Sequence, residues 1–441
     1  MRERKYFIET FGCQMNEHDS EVIAGIMEGA GYSAATSIDE ADIILFNTCC
    51  VRESAEQRIL GRISRAGALK KRRPELVIGV GGCMVQYPEG RQRIKTRCPY
   101  VDFTFDTTAL ERLPEILAHH GIPVGCLVGE AIQPKRKSSL CAFVTITYGC
   151  DNFCSYCIVP YVRGPQKSRR PEEVIDEVRR LGERGYKEVT LLGQNVNAYG
   201  RDFNPTSAGK DWDFGDLLLE LDKVPGIERI RYTTSHPRDF QERFIEITAR
   251  SKKVCEHFHL PVQAGSNKVL RLMNRGYTKE GYLRLVEKIR ELIPSASVTT
   301  DLIVGFPGED DRDFEDTMDL VEKVRFDAAF TFMYSPRSGT AAATLPDQVA
   351  LDVKKKRLER LIRVQNEIAK QINEAQKGKV LEVLVEGPSE RDPKMLSGRT
   401  RTNKMVHFPG PENLTGHLVN VLITDAPGHT LRGEMTNRAT I

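Results

Sequence analysis

No run of the chain approaches the ~20 consecutive apolar residues that a membrane-spanning helix requires. The opening residues, Met1-Arg2-Glu3-Arg4-Lys5-Tyr6-Phe7, have no apolar core of the signal-peptide kind. These absences set the expectation of a soluble, cytoplasmic protein with no membrane partner. Charge of one sign is also missing: 64 Lys and Arg against 61 Asp and Glu leave a net +3, so overall charge does not announce a nucleic-acid binder. Local basic runs at 70–73, 135–137 and 354–357 read as solvated helix faces or linkers. A content of 40% hydrophobic and 28% charged residues is globular, and 441 residues suit two or three domains. In a cytoplasmic chain, eleven cysteines are ligands or reduced thiols rather than disulfides.

Three of those cysteines organise the sequence. Cys150, Cys154 and Cys157 are spaced C-x3-C-x2-C in Gly149-Cys150-Asp151-Asn152-Phe153-Cys154-Ser155-Tyr156-Cys157, directly after the β-branched and aromatic run 142–148. The loop therefore leaves the C-terminal end of a buried strand. A structural zinc site wants four protein ligands. Three thiolates on one tight loop can instead hold three irons of a [4Fe–4S] cube and leave the fourth open to another ligand. The plainer alternatives are core cysteines or part of a zinc ribbon.

Residues 1–125 read as alternating strands and helices, with strands over 6–10, 42–46 and 76–80 and helices over 19–29 and 54–70. That alternation implies a parallel sheet covered by helices. Cys13, Cys49 and Cys83 each fall just past one of these strands, the edge where open α/β sheets build their sites. Either they form a second three-thiolate cluster, or they are ordinary small buried residues. Cys50 adjoins Cys49, and because neighbours on an extended segment face opposite ways only one should point into the site. Cys98, Cys126, Cys141 and Cys255 fit neither constellation and read as structural thiols.

A linker over 126–140 leads to a central region, 141–374, with six strand-like runs at 142–148, 188–192, 229–234, 257–262, 297–304 and 328–334. Helical patterns lie between them, beginning with 171–184. Consecutive βα units predict an incomplete parallel barrel, (β/α)6, with its site at the strand C-terminal ends. The loops there are polar: Gln194, Asn195 and Asn197 after the second strand, Ser235 and His236 after the third, Gln263 after the fourth. His236, His257 and His259 read as satisfied strand-end histidines rather than metal ligands. The stretch 201–213 reads as a variable insertion. A charged helix over 351–377 leads out of the barrel, and five short strands in 375–441 suggest a small all-β, OB-like barrel of a kind that often binds RNA.

The cysteine loop, with Tyr156 before its last cysteine, resembles that of the radical S-adenosylmethionine (SAM) enzymes. Phe11-Gly12-Cys13-Gln14-Met15-Asn16, Asn47-Thr48-Cys49-Cys50-Val51-Arg52-Glu53 and Gly81-Gly82-Cys83-Met84 resemble the amino-terminal domain of the methylthiotransferases. The runs 158–169, 191–200 and 333–340 resemble the tRNA-modifying MiaB branch of that family, and 375–441 resembles a TRAM domain. The resemblance implies two [4Fe–4S] clusters, a radical-generating one on Cys150, Cys154 and Cys157 and an auxiliary one on Cys13, Cys49 and Cys83. It implies SAM as both methyl donor and radical source, with Tyr156, Gln194, Asn195, Ser235 and Gln263 as its candidate contacts. The implied reaction is methylthiolation of N6-isopentenyladenosine in a tRNA anticodon loop, with an electron donor and a sulfur source as further partners of a monomeric enzyme. Arg399, Arg401 and Lys404 are the candidate phosphate contacts. The same chemistry on threonylcarbamoyladenosine or on a ribosomal protein residue is the nearest alternative. A non-catalytic iron–sulfur protein that binds RNA or senses redox state is the alternative of another class.

Overall fold

A computed structural model describes residues 3–50, 53–123, 133–203 and 212–436. Cys126 and most of the 201–213 insertion lie outside the described residues. The chain divides into two compact units. The first comprises Met1–Ser139, Thr147–Lys167 and Ser335–Ala343; the second comprises Leu140–Ile146, Ser168–Tyr334 and Thr344–Ile441.

The first unit is built on a five-stranded parallel sheet in the order β2-β1-β3-β4-β5. Its strands are Lys5–Thr10 (β1), Ser33–Ala34 (β2), Ile43–Thr48 (β3), Val77–Gly82 (β4) and Phe103–Thr104 (β5). β3 is buried at every position and opens in sequence with the apolar run Ile43-Ile44-Leu45-Phe46, as a central parallel strand should. β2 and β5 are two residues each, too short to leave a periodic signal. Helices Gln14–Gly29 (α1), Glu53–Lys70 (α2), Pro88–Arg97 (α3) and Leu113–His119 (α4) connect or flank the strands. α1 begins five residues before the helical pattern starts, because its first turns bury polar side chains: Asn16, Asp19, Ser20 and Glu21 are all inside. Apolar periodicity cannot register a buried face that is polar. The unit also takes in the short strand Thr147–Tyr148 (β7), the cysteine loop after it and a five-residue helix, Val159–Arg163 (α5).

The second unit carries six parallel strands: Cys141–Thr145 (β6), Glu188–Leu192 (β9), Arg229–Tyr232 (β10), His257–His259 (β11), Ser297–Val304 (β12) and Ala328–Met333 (β13). A two-residue strand, Lys167–Ser168 (β8), precedes β9. The six form two three-stranded sheets, β10-β9-β6 and β11-β12-β13. Between them a parallel bridge joins Ile230 to Val254, flanked by the bond from Ile230 N to Lys253 O (2.8 Å). Among the described residues β6 and β13 do not pair, so the barrel is open, and β13 is backed by the helix Leu351–Glu374. Strands β14 to β18 (Val380–Pro388, Met395–Thr400, Met405–Pro409, Leu418–Asp425 and Leu431–Met435) close into a small barrel. Among the described residues no helix is long and apolar enough to cross a membrane.

Candidate metal centre and cofactor-binding face

β1, β3 and β4 are adjacent and parallel, with Thr10 opposite Asn47, and Thr48 opposite Gly82. Cys13, Cys49 and Cys83 follow these residues by one to three positions, so the three cysteines leave one edge of one sheet. The approach is close. Gly12 has φ +119°, and a Cβ there would stand 2.9 Å from Cys49 Cβ and 3.1 Å from its sulfur. Gly82 has φ +92°, and a Cβ would lie 2.3 Å from Thr48 O. Only glycine permits both the left-handed turn and the contact.

The buried polar turn of α1 frames this edge. Asn16 Nδ2 donates to Phe11 O (2.7 Å) and Thr48 O (2.9 Å), tying the post-β1 and post-β3 segments together. Asn47 Nδ2 donates to Asn16 O (2.8 Å) and Ser20 Oγ (3.0 Å). Cys13 is itself the residue capping α1; burial pushes its thiol up, and Arg163 opposes that shift. Arg163, from α5, donates to Asn16 Oδ1 and Asp19 Oδ2, both at 2.8 Å, and lies within electrostatic reach of Cys13 and Cys83. The Cys83 thiol is pulled down, first by its buried neighbour Cys50 and then by Arg163, against the opposing effect of burial. A thiol biased toward thiolate is what a metal ligand requires.

Cys50 departs from expectation. Rather than facing away from the site, it is 1% exposed and sits in one buried cluster with Cys83, while the Cys49 sulfur lies against Gly12. The strand has ended at Thr48, so the alternation of an extended segment no longer governs where the two sulfurs point. Cys98 and Cys255 are buried and Cys141 partly so, in keeping with structural roles.

The loop bearing Cys150, Cys154 and Cys157 is closed at its base. Cys150 N donates to Gly164 O (3.2 Å), Gln166 N to Asp151 Oδ1 (3.1 Å) and Cys157 N to Cys154 O (2.9 Å). It belongs to the same compact unit as Cys13, Cys49 and Cys83. Ile158 and Val162, just past Cys157, sit in one apolar cluster with Cys49, Cys50, Cys83 and Met84. Tyr156 is half-buried on this loop. Among the described residues no three His, Cys, Asp or Glu side chains converge tightly enough for a single metal ion. A cubane does not ask for that, because its ligands stand at separate corners. The two three-cysteine sets, the amino-terminal one with Cys50 beside it, are a donor set that fits such clusters.

In the second unit the strand ends present polar atoms that the protein itself leaves unsatisfied. The Ser235 hydroxyl, both amide atoms of Asn197 and Nε2 of His236 are buried with no hydrogen-bond partner among the described residues. They lie on the loops after the paired strands β9 and β10. Buried orphans of this kind are costly unless a ligand completes them, and an amino acid with a ribose and an adenine offers matching groups. Asn195, by contrast, is spent: Nδ2 donates to Asp239 Oδ2 (2.6 Å) and Oδ1 accepts from His236 N (3.2 Å). Asn195 is thus held within the loop, whereas the Asn197 amide is not. Gln194 is half-exposed, and Gln263 is buried with φ +72°, its backbone bonded to both Asp301 and Ile303. His257 and His259 share Thr299 Oγ1, each at 3.0 Å. His236 is pushed down to about 2, by burial and then by Arg275, and stays neutral.

The candidate phosphate contacts divide. Arg401 donates through Nε and Nη2 to the Glu256 carboxylate, and also to Lys252 O and Val254 O, and Lys404 reaches Asp327 (2.7 Å) and Asn373 (3.1 Å). Both charges are ion-paired where the small barrel docks on the larger one. Arg399 is 40% exposed beside Glu386 and keeps a face toward solvent.

Comparison with known proteins agrees with this architecture. The Radical SAM superfamily matches residues 144–321, Uncharacterized protein family UPF0004 residues 5–106, and the TRAM domain residues 374–436. A solved radical S-adenosylmethionine methyltransferase, TsrM from Kitasatospora setae, shares the fold at TM-score 0.54 and 14% identity, over 78% of this chain and 74% of its own. The fold and the cysteine loop thus define a radical SAM enzyme. Among curated relatives, the tRNA-2-methylthio-N(6)-dimethylallyladenosine synthase of Moorella thermoacetica is 53% identical over 99% of this chain and 100% of its own length. That of Desulforamulus reducens is 51% identical over 99% and 96%. The chain belongs to the family of these synthases.

Proposed function

We propose that the chain methylthiolates carbon 2 of N6-isopentenyladenosine, just 3′ of the anticodon of tRNA. Cys150, Cys154 and Cys157 would hold one cluster, which would supply the reductive cleavage of SAM, and Cys13, Cys49 and Cys83 would hold a second, which would supply the sulfur chemistry. The residues of the chain do the rest. Glycines 12 and 82 admit close approach, Arg163 favours thiolate, and the orphaned groups of Asn197, Ser235 and His236 orient SAM. Tyr156, Gln194, Asn195 and Gln263 are the further candidate SAM contacts, and Arg399, Arg401 and Lys404 the candidate phosphate contacts. Electrons and replacement sulfur come from outside the chain, which works as a monomer in the cytoplasm. Carbon 2 lies on a base edge, so the nucleotide must be splayed from its stack, which is easier in a single-stranded loop than in a duplex.

The observation that carries this reading is the pair of three-cysteine sets within one compact unit. Anaerobic incubation with SAM, a reductant and an isopentenylated anticodon stem-loop should give 5′-deoxyadenosine together with the methylthio base. Formation of 5′-deoxyadenosine without that base would refute the reaction, and preferred turnover of a threonylcarbamoyladenosine stem-loop or a protein would reassign the substrate. RNA affinity without SAM cleavage would mark a non-catalytic protein. Iron should fall from about eight to about four per chain in a Cys150→Ala/Cys154→Ala/Cys157→Ala variant.

A further inference from the structure

The cysteine loop carries two rings with no role in ligating a cluster. Phe153, between Cys150 and Cys154, is 52% exposed, and Tyr161, on α5, is 56% exposed. The two meet edge to face, with centroids 6.2 Å apart and planes at 77°. Phe153 also holds φ +44°, a left-handed conformation that glycine adopts freely and a bulky side chain resists. A residue strained to keep an aromatic ring in water calls for a use of the ring. The platform is firm from below: Ile158, Val162 and Arg163, on the other side of the same helical turn, are buried against the Cys83 edge and α1. Tyr161 is thereby fixed while its ring faces out.

We propose that Phe153 and Tyr161 form a stacking platform for an unpaired base of the RNA substrate beside the nucleotide being modified. The proposal rests on the RNA reading above. Single-stranded loops are recognised by stacking of splayed bases on exposed aromatic rings, and such contacts tolerate any base. A platform whose rings lie one residue from Cys154 and four from Cys157 would hold the loop next to the reacting atoms. It would supply the affinity that a net charge of +3 does not.

The test uses the full-length, cluster-loaded protein and isopentenylated anticodon stem-loops with 2-aminopurine at successive loop positions. Wild type should quench the probe at one position. Tyr161→Leu and Phe153→Leu should lose that quench and weaken binding by about 5- to 150-fold, with the salt dependence of binding unchanged. Tyr161→Phe and Phe153→Trp should retain both quench and affinity. Iron content reports loop integrity, and should Phe153→Leu lose iron, Tyr161→Leu decides the matter because it lies outside the cysteine loop. Unchanged affinity and quench in Tyr161→Leu would overturn the platform, even in a protein whose wild type methylthiolates normally. If Tyr161→Leu slows turnover only with a protein reductant and not with dithionite, the rings dock an electron donor and the proposal fails. A wild type that binds RNA and quenches the probe but yields no methylthio base would refute the reaction and leave the platform standing.

Discussion

Replacing Arg163 by methionine should loosen the first unit severely. Arg163 Nη2 lies 2.8 Å from both Asn16 Oδ1 and Asp19 Oδ2, and the Arg163 and Asp19 side chains are each 4% exposed. Removing the guanidinium leaves the Asp19 carboxylate buried without its main counter-charge, a change that costs about 3–5 kcal/mol. Over a unit of roughly 170 residues, that lowers the first unit's melting temperature by roughly 6–20 °C. Burial already pushes the Asp19 carboxyl up, and Arg163 and His18 oppose it. In the variant Asp19 should therefore titrate above its unfolded value. A folded pKa above the unfolded one gives stability that is present at low pH and lost as pH rises through it. The deficit against wild type should then be larger at pH 8 than at pH 5.5. Scanning calorimetry at both pH values, with iron analysis alongside, reads the effect. Adding Asp19→Asn should recover much of the loss, since no buried charge remains. A shift under about 3 °C, a deficit independent of pH, or no recovery in the double variant would each refute the reasoning.

Asn197→Ala should weaken SAM binding by about 5- to 30-fold, whereas Asn195→Ala should chiefly destabilise the loop by depriving Asp239 of a donor; equilibrium dialysis and thermal melts separate the two. Below pH 6.5 the second unit should lose stability steeply. His236 and His257 are held neutral by burial, so as pH falls the unfolded chain takes up protons the folded one does not, at about 1.4 kcal/mol per group per pH unit. The denaturant midpoint of His257→Gln should accordingly fall less between pH 6.5 and 5.5 than that of wild type. Arg401→Ala should cost about 1–3 kcal/mol and leave the salt slope of RNA binding intact, while Arg399→Ala should reduce that slope by about one.

What the sequence shows and what it hides follow from where each residue finds its partners. β3 and the barrel strands are legible because continuous apolar runs must be buried, and the cysteines are legible because glycine and strand ends mark them. The start of α1 is not, since Asn16, Asp19 and Ser20 look like solvent-facing residues until Asn47, Thr48 and Arg163 are folded onto them. Arg401 and Lys404 hide their partners for the same reason. Their counter-charges, Glu256 and Asp327, lie 145 and 77 positions away, so no local pattern reveals that they are ion-paired. Which of Asn195 and Asn197 is held within the loop turns on the path of that loop around Asp239, and composition carries no trace of that path.

The two three-cysteine sets lie far apart in sequence, and under the proposed function delivery of sulfur from one to a carbon activated at the other would demand a fixed separation between them. A flexible connection could not supply it. The cysteine loop follows a barrel strand in sequence, yet it packs with the amino-terminal sheet. Ile158 and Val162 share an apolar cluster with Cys49 and Cys83, and Arg163 locks α5 to α1 through Asp19. Both sets of thiols are thus referred to the same sheet edge, and their spacing is set by side-chain packing within one unit. Apolar packing resists change at the scale of a methylene group, which is the tolerance that group transfer between two fixed centres requires.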